Sequence, residues 1–208
     1  MLANLRSSFH KLQGARENVL QNIEKSENKI AEKEKSLSYH FKAREIIRTV
    51  GLETQKQLEY HISNIVSLAE DSVFDDAYEF EARFVERRNK TECDLFFKRG
   101  EHTMKPIDSS GLGAVDVAGF SLRVASWNME NPKSRAVIIM DEPFKHLKGF
   151  EQNVKVIAMV KQLSRKLGLQ IIMVHDERVS FEEIEKGADK IFKVTKNRNV
   201  SKVENYEI

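Results

Sequence analysis

Along residues 1 to about 50, apolar side chains recur at alternating spacings of three and four: Leu2, Leu5, Phe9, Leu12, Val19, Ile23, Ile30 and Leu37. Arg16, Ser26 and Lys33 interrupt the stripe at seam positions, and charged residues fill most of the remainder. The stretch holds no proline and a single glycine, Gly14. This heptad-like pattern predicts one long helix built for a coiled coil, about 75 Å in reach at ~1.5 Å per residue. So narrow a seam does not bury itself alone and needs a partner helix; one helix of a compact bundle is the alternative. Gly51 is expected to break or bend the helix, with helical pattern resuming from Glu53 to about Ala69.

The period changes beyond Asp71. From Tyr78 to Pro106 the residues alternate, as in Phe80, Ala82 and Phe84, and polar turns at Arg88-Asn89-Lys90 and Arg99-Gly100-Glu101 separate the runs. This predicts a small antiparallel meander of two or three strands. Cys93, near the start of the second strand, reads as a packed thiol, since nothing in the sequence marks it as activated. The stretch Ile107 to Met129 opens with Asp108, Ser109 and Ser110, which are good helix N-caps, and with Gly111 and Gly113, which permit close backbone approach. From Ala114 to Met129, Val117, Phe120, Val124 and Trp127 recur at helical spacing. A Ser/Gly turn opening a helix is either a plain cap or, through its free N–H groups, an anion site.

The sharpest pattern is Ala136 to Phe144, AVIIMDEPF. Five apolar residues end in Asp141, Glu142 and Pro143. The run predicts a strand buried on both faces of a parallel sheet. Two adjacent acids are costly inside a core, so they belong at the C-terminal edge, where open α/β sheets bind ligands. Such a pair is either a solvated acidic turn at a strand end or a site where one acid holds Mg²⁺ while the other activates a water. A loop from Phe144 to Gly149 precedes an amphipathic helix from about Phe150 to Leu167, with Val154, Ile157, Ala158 and Leu163 as its inner face and Gly168 as its C′ residue. Leu169 to Val174 is a second buried strand ending in His175-Asp176-Glu177. Strand, helix and strand in this order imply parallel strands with a right-handed crossover, which puts His175 at the same edge as Asp141 and Glu142. Ser180 and Glu183 form a capping box for a short helix ending near Gly187. Ile191 to Thr195 and Val200 to Tyr206 read as a closing hairpin around Asn197-Arg198-Asn199.

Composition narrows the class. The 208 residues carry 34 basic and 32 acidic side chains, so no uniformly basic nucleic-acid coat is present, although a local patch is compatible with the balance. One cysteine excludes an internal disulfide and a Cys-based zinc site, and it fits a reducing cytosol; a cytoplasmic location is expected. No apolar run approaches the ~20 residues of a membrane span. The length suits one good core plus an extension, divided as a coiled-coil arm over 1–72 and an α/β lobe over 73–208.

In this order, the coil, small sheet, Ser/Gly-led helix, DEP strand, helix and His-ended strand resemble the C-terminal half of an ABC-type ATPase of the SMC, RecF, RecN and SbcC kind. The resemblance covers essentially the whole chain, and AVIIMDEPF is its specific match, to the Walker B strand. It implies a mixed sheet with flanking helices, ATP hydrolysis with Mg²⁺, and coupling to DNA repair or recombination. By the same resemblance Asp141 helps hold Mg²⁺, Glu142 polarises the attacking water, and His175 is the switch histidine that senses the γ-phosphate. Ser109 to Gly113, SSGLG, resembles the signature motif. Ser109, Ser110, Gly111 and Gly113 are then the nucleotide-contacting set across a head-to-head dimer. Phe144 to Lys148 resembles the D-loop, with Lys148 where the family usually has aspartate, and the signature lacks the usual LSGGQ wording.

No GxxxxGK[ST] phosphate loop occurs in the chain. A Walker B strand can supply metal and water chemistry but does not cradle the β- and γ-phosphates. The expectation is therefore a half-ATPase, either part of a longer protein or encoded apart from its N-terminal Walker A lobe. That lobe, a second head, DNA and a nuclease subunit are the partners the resemblance implies. The rival expectation is a non-catalytic protein that docks on a complete SMC-like ATPase through its coil. Lys and Arg residues of the coil are dense enough only for an ordinary solvated helix, so direct DNA contact by this chain is the weaker expectation.

Overall fold

A computed structural model describes residues 2–88, 90–175, 179–198 and 200–206, with the side chains of Ala3 and Ser109 left out. Asn89, Asp176, Glu177 and Asn199, named above in turns and at a strand end, lie outside the described residues. The chain divides into two compact units, Met1–Thr54 and Gln55–Ile208. The first consists of helix alone. Helix α1 runs Leu2–Val73 and passes through Gly51 without a break. A glycine in a helix interior costs about 1 kcal/mol relative to alanine, which long helical flanks absorb. The seam residues from Leu2 to Leu37 are all solvent-exposed in the chain by itself.

In the second unit, strands β1 (Glu79–Arg87), β2 (Lys90–Arg99) and β3 (His102–Met104) form the antiparallel meander, in the order β1-β2-β3. Arg88, at φ 52°, and Gly100, at φ 59°, occupy the left-handed region at the two turns. A short turn of helix, α2 (Pro106–Ser109), leads into α3 (Leu112–Met129). Strand β4 (Val137–Asp141), helix α4 (Phe150–Leu167) and strand β5 (Gln170–Val174) make a parallel two-stranded unit. Helix α5 (Phe181–Gly187) and the hairpin β6 (Ile191–Asn197) and β7 (Val200–Tyr206) follow. The Ser180 hydroxyl accepts the Glu183 N–H at 3.3 Å, as the capping box predicts. Gly168 ends α4 at φ 61°.

Helix α3 is the centre of the lobe because it is apolar on two faces. Val117, Phe120, Val124 and Trp127 enter one core with Ala69 and Val73 of α1, Met140 of β4, and Val156, Met159 and Val160 of α4. Ala114 and Ala118 enter a second core with Val66, Phe80, Ala82 and Phe97. Small side chains on that second face let the meander lie close to the helix.

The last part of α1 does a further task. Glu59, Ser63 and Ser67 stand one turn apart on the helix. Their side-chain oxygens accept the backbone N–H groups of Phe84, Ala82 and Phe80, the latter two at 2.9 and 2.8 Å. These N–H groups lie on the edge of β1 away from β2, so a polar stripe on α1 satisfies an edge that would otherwise be open.

Besides the unbroken helix at Gly51, four expectations are corrected. The β4–β5 sheet is covered on one face only: Ile138, Met140, Ile171 and Met173 face the core, while Ile139 is 72% exposed and Ile172 and Val174 are also exposed. With two strands and helices on one side, the sheet has nothing over its other face among the described residues. On α4 the buried positions are Asn153, Val156, Ile157, Met159 and Val160, and Ala158 is exposed, because the larger side chains set the helix rotation. Cys93 is exposed, lying toward the hairpin tip beyond the covered part of the meander. Partial desolvation, then the Glu59 and Asp94 carboxylates, push its thiol up, which disfavours the nucleophilic thiolate. Finally, Asp108 to Ser110 do not cap α3. They are taken up by α2 and the bend after it, and the residue before α3 is Gly111, with no side-chain cap.

One buried polar group stands out. Glu70 of α1 is fully buried, and neither carboxyl oxygen makes a hydrogen bond of good geometry. Burial, with the neighbouring Asp71 charge adding to it, pushes its pKa up to about 8, offset only in part by the Ala118 backbone. The folded state therefore holds a proton that the unfolded chain releases near pH 4.5. Stability should fall between pH 4.5 and about 8, by at most ~1.4 kcal/mol per pH unit, as folding binds a proton there. Denaturant melts of Glu70→Gln should show a flatter pH profile across that window and higher stability than the parent at pH 8.5. For the edge-capping stripe, Ser63→Ala should cost about 1–3 kcal/mol, since it leaves the buried Ala82 N–H without its acceptor. Urea melts of the lobe measure it, and Ser36→Ala on the exposed coil is the neutral control.

Candidate functional site

The site begins with strand register. β4 and β5 pair in parallel from Val137 opposite Gln170 to Asp141 opposite Val174. A parallel pair needs a crossover, and α4 supplies it, so both strands end at the same edge. The pairing continues one residue past β4: the Glu142 N–H donates to the Val174 carbonyl at 3.0 Å. Glu142 itself sits in the left-handed region at φ 43°, strained for a residue with a Cβ. Asp141 and Glu142 are both exposed.

The following segment is a compact turn. Lys145 N–H donates to the Glu142 carbonyl at 3.2 Å, and Leu147 N–H to the Phe144 carbonyl at 3.0 Å. Phe144 and Leu147 are buried anchors, and the Phe144 ring packs on Phe120 of α3 at 5.3 Å between centroids. Asn153 of α4, also buried, donates its amide to the Leu147 and Gly149 carbonyls at 3.3 and 2.8 Å. Glu142, Lys145, Asn153 and His175 line one small cleft at the sheet edge. Two of the residues singled out in the sequence, Glu142 and His175, are thus brought together, with Asp141 adjacent in the chain.

The Ser/Gly segment lies elsewhere. Gly111 and Gly113 line a second cleft of about 320 Å³ with Arg99, His146 and Lys148. The Ser110 hydroxyl donates to the Pro106 carbonyl, and the Ser109 side chain lies outside the described residues. Asp116 of α3 holds the turn after β4 at His146, which lines the second cleft. Its carboxylate accepts the His146 backbone N–H at 2.9 Å and stands 3.1 Å from the His146 ring Nδ1. Asp116, His146 and Asn153 were not among the residues singled out from the sequence. The available signal was a lone polar residue inside an otherwise apolar helical face, at Asp116 in AVDVAGF and Asn153 in QNVKVI.

Among the described residues no group of three or more His, Cys, Asp and Glu side chains could hold a metal ion. None of the described helices is long and apolar enough to cross a membrane.

No family model and no curated protein matches the sequence. Solved structures do match. One comes from work on the ATP-driven dimerization and DNA-stimulated activation of SMC ATPases, with 18% identity and a TM-score of 0.54 over 73% of this chain and 86% of that one. An SMC head bound to the C-winged helix domain of ScpA gives 18% identity and a TM-score of 0.58 over 77% of this chain and 45% of that one. The head domain with coiled coil and joint from Pyrococcus yayanosii gives 19% and 0.57 over 84% and 31%. The chain therefore spans less than half the length of the latter two. It has the fold of the C-terminal part of an SMC-type ATPase head, with a long helix leading into the lobe.

Glycine removes the Cβ conflict at a left-handed position. Glu142→Gly should raise the stability of the chain by about 1 kcal/mol, or ~2–4 °C in Tm, measured by calorimetry. An unchanged or lowered Tm would show that the strand end is not strained.

Proposed function

We propose that this chain is the C-terminal lobe of an SMC-type ATPase head and hydrolyses ATP together with a lobe that carries a Walker A loop. The observation that carries the reading is the meeting of Glu142 and His175 on one cleft at the C-terminal edge of a parallel strand pair. That edge is the ligand side of open α/β sheets.

The residues fit the implied cofactors in kind. Mg²⁺ is commonly held by one or two carboxylates together with substrate phosphates, which suits the lone exposed carboxylate of Asp141 and needs no cluster of protein ligands. When bound, Mg²⁺ neutralises charge on the phosphoryl group being transferred. Glu142 polarises the attacking water. In this reading His175, one residue past β5, contacts the terminal phosphate. Ser110, Gly111 and Gly113, with Ser109, close over the nucleotide of a second head. The position of Gly111 and Gly113 on a separate cleft from Glu142 suits two half-sites that serve different nucleotides.

The complementary lobe has a physical basis in what the chain leaves uncovered. Parallel strands are ordinarily buried on both faces, yet Ile139, Ile172 and Val174 are exposed. The α1 seam is likewise unpaired and suits the other arm of a coiled coil. Head closure on ATP then moves the coils, and DNA processing in repair or recombination, with a nuclease subunit, is the use of that motion. The work on DNA-stimulated SMC ATPases among the structural neighbours supports the involvement of DNA.

In a head assembled from this chain and its Walker A lobe, Glu142→Gln should leave ATP binding and head dimerisation intact while lowering turnover about 100-fold or more. Phosphate release and sedimentation measure the two properties. Turnover near the parent value would remove Glu142 from its role. Failure of the assembled lobes to bind ATP at all would favour the rival, a docking protein without catalysis.

A further inference from the structure

We propose that Asp116 and His146 are positioning residues that tie the start of α3 to the turn bearing Glu142, and so couple the two nucleotide half-sites of a head dimer. The inference rests on the ATPase reading above. In that reading Ser110 to Gly113 act on the nucleotide of the opposite head, while Glu142 acts on the nucleotide of its own. A rigid link between them within one chain makes each site sensitive to occupancy of the other.

The link is built from both sides. Asp116 holds the turn through two contacts at once, the backbone N–H of His146 and its ring nitrogen. The carboxylate is only 15% exposed and the imidazole 35%, so water competes weakly for the pair. One turn earlier on the same face of α3, Gly113 packs against the same residue: a Cβ there would lie 3.4 Å from the His146 carbonyl oxygen. From the other side Asn153 holds the Leu147 and Gly149 carbonyls. Residues 142–149 are therefore clamped between α3 and α4, and the Phe144 ring fixes their inner side against Phe120. A displacement of Gly113 carries Asp116 with it, because both lie within the first turns of one helix, which Gly111 directly precedes. Asp116 in turn carries His146, four residues beyond Glu142. The link is short, made through two contacts and attached to a helix, as coupling through a packed network requires.

The test uses the head assembled from this chain and its Walker A lobe, with Mg-ATP as the probe. Asp116→Ala should lower kcat about tenfold, shift KM for ATP by no more than about threefold, and bring the Hill coefficient for ATP toward 1. Asp116→Asn keeps an acceptor for the His146 N–H and should recover most of both values. His146→Gln should resemble Asp116→Ala, and the double variant should be no worse than either single one. A head that is merely destabilised loses active fraction without changing the Hill coefficient, which separates positioning from structure. Should Asp116→Ala cost the fold, His146→Gln carries the same readouts. A parental kcat and Hill coefficient in His146→Gln, while Glu142→Gln has lost hydrolysis, would overturn the link and leave the ATPase reading standing. Continued turnover in Glu142→Gln would overturn both.

Discussion

Parallel pairing between β4 and β5 is the constraint from which the rest of the lobe's chemistry follows. Antiparallel strands joined by a tight turn would put Asp141 and His175 at opposite ends. A parallel pair with a helical crossover puts both strand ends at one edge, and the five-residue register fixes how far each projects. Residue 142 is the first that both extends the pairing and leaves the strand. Its N–H is still committed to Val174 while its backbone turns into the left-handed region. That combination is what allows an acidic side chain to stand at the rim without entering the core.

The α1 base and the meander are matched by a coincidence of repeat lengths. Four residues of helix rise about 6 Å, and two residues of strand about 6.8 Å. Side chains at 59, 63 and 67 therefore keep pace with N–H groups at 84, 82 and 80 when helix and strand run in opposite directions. A helix shift of one residue would remove all three acceptors together.

Much of this architecture was legible along the chain. The long helix, the meander, the α3 face at Val117, Phe120, Val124 and Trp127, the α4 boundaries with Gly168, and the closing hairpin all follow from period and punctuation, which are local properties. The shared edge of Asp141, Glu142 and His175 was legible because two strands joined by a helix-length crossover run parallel, whichever face the helix covers. What the sequence did not give up was tertiary. Glu59, Ser63 and Ser67 look like ordinary solvated positions on a charged helix until the edge of β1 lies against them. Asp116 looks like an interruption of an apolar face until His146 arrives 30 residues later. The exposed face of β4 and β5 was misjudged for a different reason. An apolar strand records that it is buried on both sides, but not whether its own polypeptide does the burying.

That last point leads to the strongest argument about what the lobe is. Ile139, Ile172 and Val174 are apolar on the face away from α3 and α4, and an antiparallel sheet meant to face water would carry polar residues there. The pattern is written for a covered surface. The same is true of the seam in α1, whose apolar positions stay exposed from Leu2 to Leu37. Two unrelated elements, one a sheet and one a helix, are each patterned for a contact that the described residues do not make. On the reading proposed above, a single complementary lobe, with a helix to fill the seam and a layer to cover the sheet, would answer both at once.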